Sequence, residues 1–181
     1  MSKFLVIAEK PSVAQSYAKN LSAYKKEDGY LEGESCIVSW CLGHLAEYAQ
    51  PEEYDPKYEK WQFDDLPILP EAWKLKVFKD KKKQFEVIKT LMNRSDVEYL
   101  VNGCDAGREG ELIFQRVYVL AGCRKPVKRL WISSMEDAAI QKGFQTMKSE
   151  EEYKNLCMAA VCRAQADWLI GMNGTRAYTT R

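Results

Sequence analysis

The stretch VEYLVNGCDAGREGEL, residues 97–112, joins an apolar run directly to a cluster of acidic residues and glycines. Its first half has the length and the composition of a strand that is buried on both faces. Its second half places one aspartate and two glutamates around two glycines, and a helix is expected from Arg108 to Ala121. We therefore predict a strand, a tight turn that bears carboxylates, and a helix.

Apolar strands alternate with helical patterns on both sides of this stretch. The predicted strands are Lys3–Ala8, Cys36–Leu42, Val97–Cys104, Val127–Ser133 and an edge strand at Trp73–Phe78, and the predicted helices are Pro11 to about Leu21, Lys79–Met92, Arg108–Ala121 and one capped by Ser134. Such alternation is typical of a parallel sheet with helices on both faces. The expected fold class is therefore α/β, with four parallel strands.

Three local patterns give more specific expectations. Ser134 with Asp137 three residues later predicts a capping box of the acidic kind. The lysines between Lys79 and Lys83 indicate a solvated helix start, with a phosphate-binding patch as the alternative. Prolines and aspartates in residues 51–70 disfavour regular structure, and the aromatic residues among them predict a loop that wraps the domain.

The pattern changes after Glu150, where only helical spacing continues. We interpret residues 1–150 as an α/β domain and residues 151–181 as the start of a following helical domain. The chain stops at Arg181 without a helix cap, which suggests a truncated domain.

Composition limits the function before any motif is considered. The 181 residues include 27 Lys and Arg against 26 Asp and Glu, so any contact with nucleic acid must be local. Mean hydropathy is −0.45 and no long apolar run occurs, so we expect a soluble chain with no membrane span. Six cysteines without a C-x-x-C pair, and no signal-peptide core, favour reduced thiols in the cytoplasm.

Acidic residues follow two of the predicted strands, at the edge where open α/β sheets bind ligands. Glu9 ends the first strand, and Asp105 ends the strand of the opening stretch. Glu109 falls in the first helical turn, where the positive end of the helix dipole favours negative charge. Clustered carboxylates are stabilised by a cation, and hard oxygen ligands suit Mg²⁺. Glu111, two positions beyond Glu109, should face elsewhere.

The alternative for each acid is a purely structural role. Asp105 alone could be a turn or cap residue, and Glu109 alone could be a surface acid favoured by the dipole. Gly107 and Gly110 would allow the backbone to approach a phosphate closely, so a phosphoryl-transfer site is the functional hypothesis.

Five blocks in the same order resemble the TOPRIM domain of type IA DNA topoisomerases, in the topoisomerase III branch. The resemblance covers nearly the whole chain and implies a TOPRIM (Rossmann-like) parallel sheet flanked by helices. The blocks are Ala8–Ser12, Cys41–Leu45, Asp105–Glu111, Leu130–Ser134, and Arg163–Leu169 with Asn173–Ala177.

The resemblance implies ATP-independent cleavage and rejoining of single-stranded DNA, with relaxation or decatenation as the outcome. Glu9 resembles the acid–base glutamate, and Lys10 the lysine that stabilises charge on the scissile phosphate. Asp105 and Glu109 match two of three Mg²⁺ positions in a D-x-D-x-E pattern, with Glu9 beside them as a further ligand. Gly107 replaces the middle aspartate, so one weakly held Mg²⁺ is expected.

The resemblance also implies contacts with single-stranded DNA. The residues that match DNA-contacting or bordering positions are Lys10, Arg108, Arg163, Asp167 and Arg176. Arg163 and Asp167 share a helix face, and an exposed ion pair is their structural alternative. For His44, in the second block, a structural hydrogen-bonding role near the pocket is at least as well supported as a catalytic one.

No Pro-Arg-Thr setting surrounds any of the ten tyrosines, so the family's nucleophile is expected in a later domain. We expect this chain to be monomeric, to work with the remaining domains of its parent, and not to cut DNA alone. Two alternatives stay open: a stand-alone TOPRIM nuclease that uses a metal-activated water, and a receiver-like or nucleotide-binding module with Asp105 as phosphoacceptor.

Overall fold

A computed structural model describes residues 2–181 of the chain. Its strands are β1 (Lys3–Ala8), β2 (Lys25–Glu27), β3 (Tyr30–Glu32), β4 (Cys36–Trp40), β5 (Ala46–Tyr48), β6 (Leu75–Val77), β7 (Val97–Gly103), β8 (Val127–Arg129) and β9 (Lys148–Ser149). Its α-helices are α1 (Pro11–Asn20), α2 (Lys82–Met92), α3 (Arg108–Leu120), α4 (Asp137–Gln145) and α5 (Lys154–Thr180).

Seven of the strands form one sheet in the order β2-β3-β4-β1-β7-β8-β9. The four central strands, β4, β1, β7 and β8, run parallel, and the pairs at both edges are antiparallel. The sequence-based expectation of four parallel strands in an α/β fold is therefore confirmed. Strand β1 lies between β4 and β7, so the ends of these three strands meet at one edge of the sheet.

Strand β1 is a continuous apolar run because both of its faces are covered. Leu5 and Ile7 point into a core shared with helices α2 and α3, whereas Val6 and Ala8 point into a second core shared with α1 and α4. All four side chains are fully buried. Side chains alternate between the two faces of a strand, and helices cover both faces here, so β1 is packed from both sides along its length. This packing holds its carboxyl end in place at the edge of the sheet.

The segment between β5 and β6 wraps the domain, as the sequence predicts. It forms three short 3₁₀ turns, at Pro51–Glu53, Pro56–Glu59 and Phe63–Asp65. Ile68 and Tyr48 pack with Trp168 of α5 in a separate small core. The predicted edge strand at Trp73–Phe78 is present in shorter form as β6, which pairs with β5 outside the main sheet.

Two expectations near β8 are wrong in detail. The strand ends at Arg129, well before Ser133, because its neighbour β7 ends at Gly103 and turns away. The capping box is absent: helix α4 begins at Asp137 after Glu136, and the Ser134 hydroxyl accepts instead from the backbone N–H of Glu136 at 3.3 Å.

Helix α5 is the longest element, with 27 residues. Its side chains contact α3 and the segment that precedes β6. Among residues 2–181, none of the helices combines the length and the apolarity needed to cross a lipid bilayer.

Candidate active site at the carboxyl edge of the sheet

Glu9 follows the last residue of β1 and lies at the centre of the sheet edge. Its side chain is largely buried, with the residue 8% exposed. One carboxylate oxygen lies 3.6 Å from Nζ of Lys10, and the other accepts a hydrogen bond from the backbone N–H of Asp105 at 3.4 Å. The structure therefore brings the ends of β1 and β7 into direct contact through this carboxylate.

The turn from β7 into α3 holds Asp105 at the surface. Gly107 precedes the first helical residue with φ +153°, a backbone conformation that L side chains rarely adopt. A Cβ on Gly110 would lie 2.1 Å from the carbonyl oxygen of Asp105, so only glycine permits this close approach. The two glycines thus allow α3 to begin directly beneath the Asp105 turn.

Glu109, in the first turn of α3, is paired with a histidine. Its Oε1 is hydrogen-bonded to Nε2 of His44, while Nδ1 of His44 is buried and has no hydrogen-bond partner within residues 2–181. The loop that holds His44 is fixed by Lys81, whose Nζ donates to the carbonyl oxygens of Leu42 at 2.9 Å and His44 at 2.8 Å. His44 therefore connects the end of β4 to the acidic turn.

The three candidate metal ligands lie at the same edge of the sheet without forming a ready-made metal centre. Glu9 touches the backbone of Asp105, whereas the Glu109 side chain contacts His44. In the described residues, no three His, Cys, Asp or Glu side chains are close enough to share a metal ion. The donor chemistry suits a hard cation, because exposed carboxylates of Asp105 and Glu109 lie beside a buried one.

A buried ion pair beneath the acidic turn was not found from the sequence. Arg129 and Glu111 have side-chain exposures of 0% and 1%, and Nε of Arg129 donates to Oε1 of Glu111 at 2.5 Å. The expectation that Glu111 faces away from Glu109 is confirmed, since Glu109 is exposed. The available signal was an arginine in a predicted strand, directly before the apolar residues Leu130–Ile132, because a buried arginine requires a partner.

Two thiols lie below the same edge. Cys41 and Cys104 are buried, and a hydrogen bond with Cys41 together with burial raises the pKa of Cys104 well above its usual value. All six cysteines are free. A buried thiol with a raised pKa remains protonated near neutral pH and is a poor nucleophile.

The candidate DNA-contacting residues separate into two groups. Lys10, Arg108, Arg163 and Asp167 are exposed, and Nε of Arg163 lies 3.7 Å from Oδ2 of Asp167. Arg176 is only 4% exposed, and its guanidinium donates to the carbonyl oxygen of Tyr58 at 2.7 Å and packs over Trp61. In this structure Arg176 holds the wrapping segment onto α5, because its donors face inward.

A mainly parallel α/β sheet, with acidic side chains at the carboxyl ends of two neighbouring strands, places these groups at the edge where open α/β sheets bind their ligands. The family model that matches this chain is the Toprim domain, over residues 4–135. The chain belongs to the Toprim domain family.

Its relatives include DNA topoisomerases. The chain is 51% identical to DNA topoisomerase 3 of Bacillus subtilis and 52% identical to that of Bacillus cereus, in each case over all 181 residues and 25% of the relative. The chain thus spans about a quarter of the length of these curated relatives. A solved structure, full-length topoisomerase I from Thermotoga maritima, matches 83% of this chain and 22% of its own with a TM-score of 0.53. At 18% identity this likeness shows the fold alone.

Proposed function

We propose that this chain is the Toprim part of a type IA DNA topoisomerase of the topoisomerase 3 kind. The parent enzyme would cleave and rejoin single-stranded DNA by Mg²⁺-dependent transesterification without ATP. Identity of about half over the whole chain to the Bacillus enzymes supports this assignment. The observation that carries the local chemistry is the buried Glu9 carboxylate between Lys10 and the Asp105 amide.

Glu9 would donate a proton during strand cleavage and take it back during resealing. Its carboxylate lies at the mouth of the sheet edge, where a leaving 3′ oxygen would need a proton and where resealing would need a base. Lys10, with its side chain 57% exposed, would meet the scissile phosphate and stabilise its developing charge. Because Lys10 also neighbours Glu9, a single turn presents both the acid–base group and the cation.

Asp105 and Glu109 would hold the divalent ion, with Glu9 next to them. Toprim domains of topoisomerases bind divalent metal ions, and Mg²⁺ suits carboxylate oxygens and phosphate. Bound there, the ion would neutralise phosphate charge beside the acid–base residue. The Glu109 carboxylate is 67% exposed, so its bond to His44 competes with water and leaves the oxygens accessible to an ion.

Lys10, Arg108 and the Arg163–Asp167 pair would contribute part of a single-stranded DNA surface. All four side chains are exposed. Phosphate contact is the expected chemistry for the three cations, whereas Asp167 would border the DNA path as the partner of Arg163. Arg176 is left out of this set because its guanidinium is occupied inside the protein.

We further propose that residues 1–150 form the Toprim unit and that residues 151–181 lead into a DNA-binding helical domain. The chain would act as a monomer in the cytoplasm and work with the remaining domains of its parent, which would supply the tyrosine nucleophile.

The test is a chimera in which this chain replaces the corresponding quarter of Bacillus subtilis DNA topoisomerase 3. We expect ATP-independent, Mg²⁺-dependent relaxation of supercoiled DNA, and its loss by at least about 100-fold in Glu9→Gln, the range for a general acid–base group. Glu86→Gln, an exposed glutamate on α2, is the matched control. An inactive but folded chimera, or full activity in Glu9→Gln, would contradict the proposal. Nicking of DNA by this chain alone would favour a nuclease instead.

A further inference from the structure

We infer that Arg129 and Glu111 are positioning residues that together form a buried, charge-neutral clamp on the Asp105 turn. Both side chains are buried beneath the candidate site. They would act on it through the backbone of the turn that carries Asp105. The inference rests on the proposed function, because its consequence is the binding of a divalent cation.

Arg129 makes four hydrogen bonds to backbone carbonyl oxygens, three at the exit from β7 and one to Leu130, the residue that follows it. Its Nη1 donates to the carbonyl oxygens of Asn102 at 3.0 Å, Cys104 at 2.6 Å and Leu130 at 2.9 Å. Its Nη2 donates to the carbonyl oxygen of Asp105 at 2.8 Å. A single planar guanidinium therefore fixes the orientation of three peptide units at the exit from β7, including that of the proposed metal ligand.

Glu111 holds the guanidinium from the opposite side. Its Oε1 accepts from Nε of Arg129, and its Oε2 accepts from the side-chain amide of Asn102 at 3.4 Å. The clamp thus connects β7, β8 and the first turn of α3. The same Asp105 carbonyl lies so close to Gly110 that no Cβ would fit between them, so the turn has little room to rearrange.

The charge of the pair matters as much as its geometry. An unpaired arginine under Asp105 would place a positive charge next to a site that must attract a cation, in a region where screening by water is weak. Glu111 cancels this charge while leaving the guanidinium donors in place. The carboxylates above can then keep their negative potential.

Stability alone is a weak reason for such a pair. Replacing a buried ion pair by apolar residues of similar volume is often neutral or stabilising, whereas removing one partner leaves a buried charge. A purely structural pair could therefore be exchanged for hydrophobic residues without functional loss. A positioning pair could not, and this difference makes the inference testable.

The experiment uses the 181-residue chain, with Mg²⁺ and Mn²⁺ as probes in isothermal titration, and amide hydrogen exchange of residues 102–107 measured without metal. The variants are Glu111→Gln, Arg129→Lys and the double variant Arg129→Met with Glu111→Leu. Glu152→Gln is the matched control, because Glu152 pairs with Lys148 on the surface at 2.8 Å. Unfolding by denaturant verifies that each variant is folded.

In Glu111→Gln we expect the amide hydrogens of residues 102–107 to exchange as slowly as in the parent chain. Cation binding should weaken by about tenfold or more, which is the usual effect of removing a residue that supports a metal ligand without touching the metal. Arg129→Lys should lose carbonyl contacts, so exchange should accelerate and binding should weaken. The double variant should remain stable, yet show fast exchange and weak binding. The control should match the parent chain in both readouts.

Parent-like exchange in both Arg129→Lys and the folded double variant would overturn the clamp. Parent-like cation affinity in Glu111→Gln and in the double variant would overturn its role in binding. If the parent chain binds neither metal, the proposed cation site fails and the role of the pair in cation binding fails with it. The exchange measurements still decide whether Arg129 fixes the Asp105 turn.

Discussion

The side chain of Asn173 is hydrogen-bonded to both backbone polar groups of Ile68. Its Oδ1 accepts from the N–H of Ile68 at 2.6 Å, and its Nδ2 donates to the carbonyl oxygen of Ile68 at 3.0 Å. Ile68 is 1% exposed and lies 105 residues away in the sequence. Asn173 of α5 thus satisfies both backbone groups of a buried residue in the wrapping segment, as a neighbouring β-strand would do in a sheet.

Asn173→Ala should therefore destabilise the chain by about 1–3 kcal/mol, since it leaves a buried N–H and a buried carbonyl without partners. The free energy of unfolding from urea titration measures the loss. Asn155, an exposed residue of the same helix, provides the control, and Asn155→Ala should change stability by less than about 0.5 kcal/mol. Equal effects from both substitutions would show that the bond to Ile68 contributes nothing specific.

The sequence predicted the central sheet well because its strands are continuous apolar runs. Strands β1 and β7 are buried on both faces, so burial and sequence pattern agree. Strand β2 is not predicted from the sequence because Lys25–Glu27 is short and charged. Its strand conformation depends on pairing with β3, and no local pattern encodes that pairing.

The candidate site was predictable to the level of the sheet edge and no further. Glu9 and Asp105 follow neighbouring parallel strands, so the topology alone places them together. The pairing of Glu109 with His44 depends on a loop 65 residues away. The burial of Arg176 depends on the wrapping segment, whose aperiodic sequence gives no indication of where it packs.

Glu32 lies at the opposite edge of the sheet from the candidate site, and it should make the stability of the chain depend on pH. Burial opposes ionisation of Glu32, but hydrogen bonds from Lys3 at 2.7 Å and Arg94 at 2.9 Å outweigh it and hold its pKa below the ordinary 4.5. A carboxyl whose pKa is lowered by folding stabilises the chain above its unfolded pKa, and this contribution is lost as the pH falls through the folded pKa.

Glu32→Gln should therefore flatten the decline in unfolding free energy between about pH 5 and about pH 3, where the contribution is lost. Denaturant titrations at several pH values measure the slope. Glu86→Gln, which removes an exposed glutamate, should retain the slope of the parent chain. A Glu32→Gln slope as steep as that of the parent would show that this carboxyl does not contribute to acid unfolding.

Arg176 and Arg163 should respond differently to the same substitution. Arg176→Gln removes donors from Tyr58 and from Glu52, whose Oε2 lies 3.7 Å from Nη2, and should cost about 1–3 kcal/mol of stability. Arg163→Gln breaks only an exposed pair and should change stability by less than about 1 kcal/mol.

Binding of a single-stranded oligonucleotide, followed by fluorescence anisotropy at several salt concentrations, should show the reverse order. Arg163→Gln should weaken binding and reduce the salt slope by roughly one phosphate contact. Arg176→Gln should leave that slope unchanged as long as the variant is folded. A reduced slope in Arg176→Gln would show that the guanidinium leaves its inward position when DNA binds.

Gly107 offers the sharpest test of the proposed cation site, because it lies midway between Asp105 and Glu109, where the family's D-x-D-x-E pattern would have an aspartate. Its φ of +153° strains any other residue, although a Cβ there would meet no atom within 4 Å in the described part of the chain, chain neighbours aside. Gly107→Ala and Gly107→Asp should therefore both lower stability by about 1–3 kcal/mol through backbone strain. Only the aspartate adds an anionic ligand, so Mg²⁺ should bind Gly107→Asp roughly tenfold more tightly than Gly107→Ala. Equal affinities in isothermal titration would mean that the ion does not lie between Asp105 and Glu109.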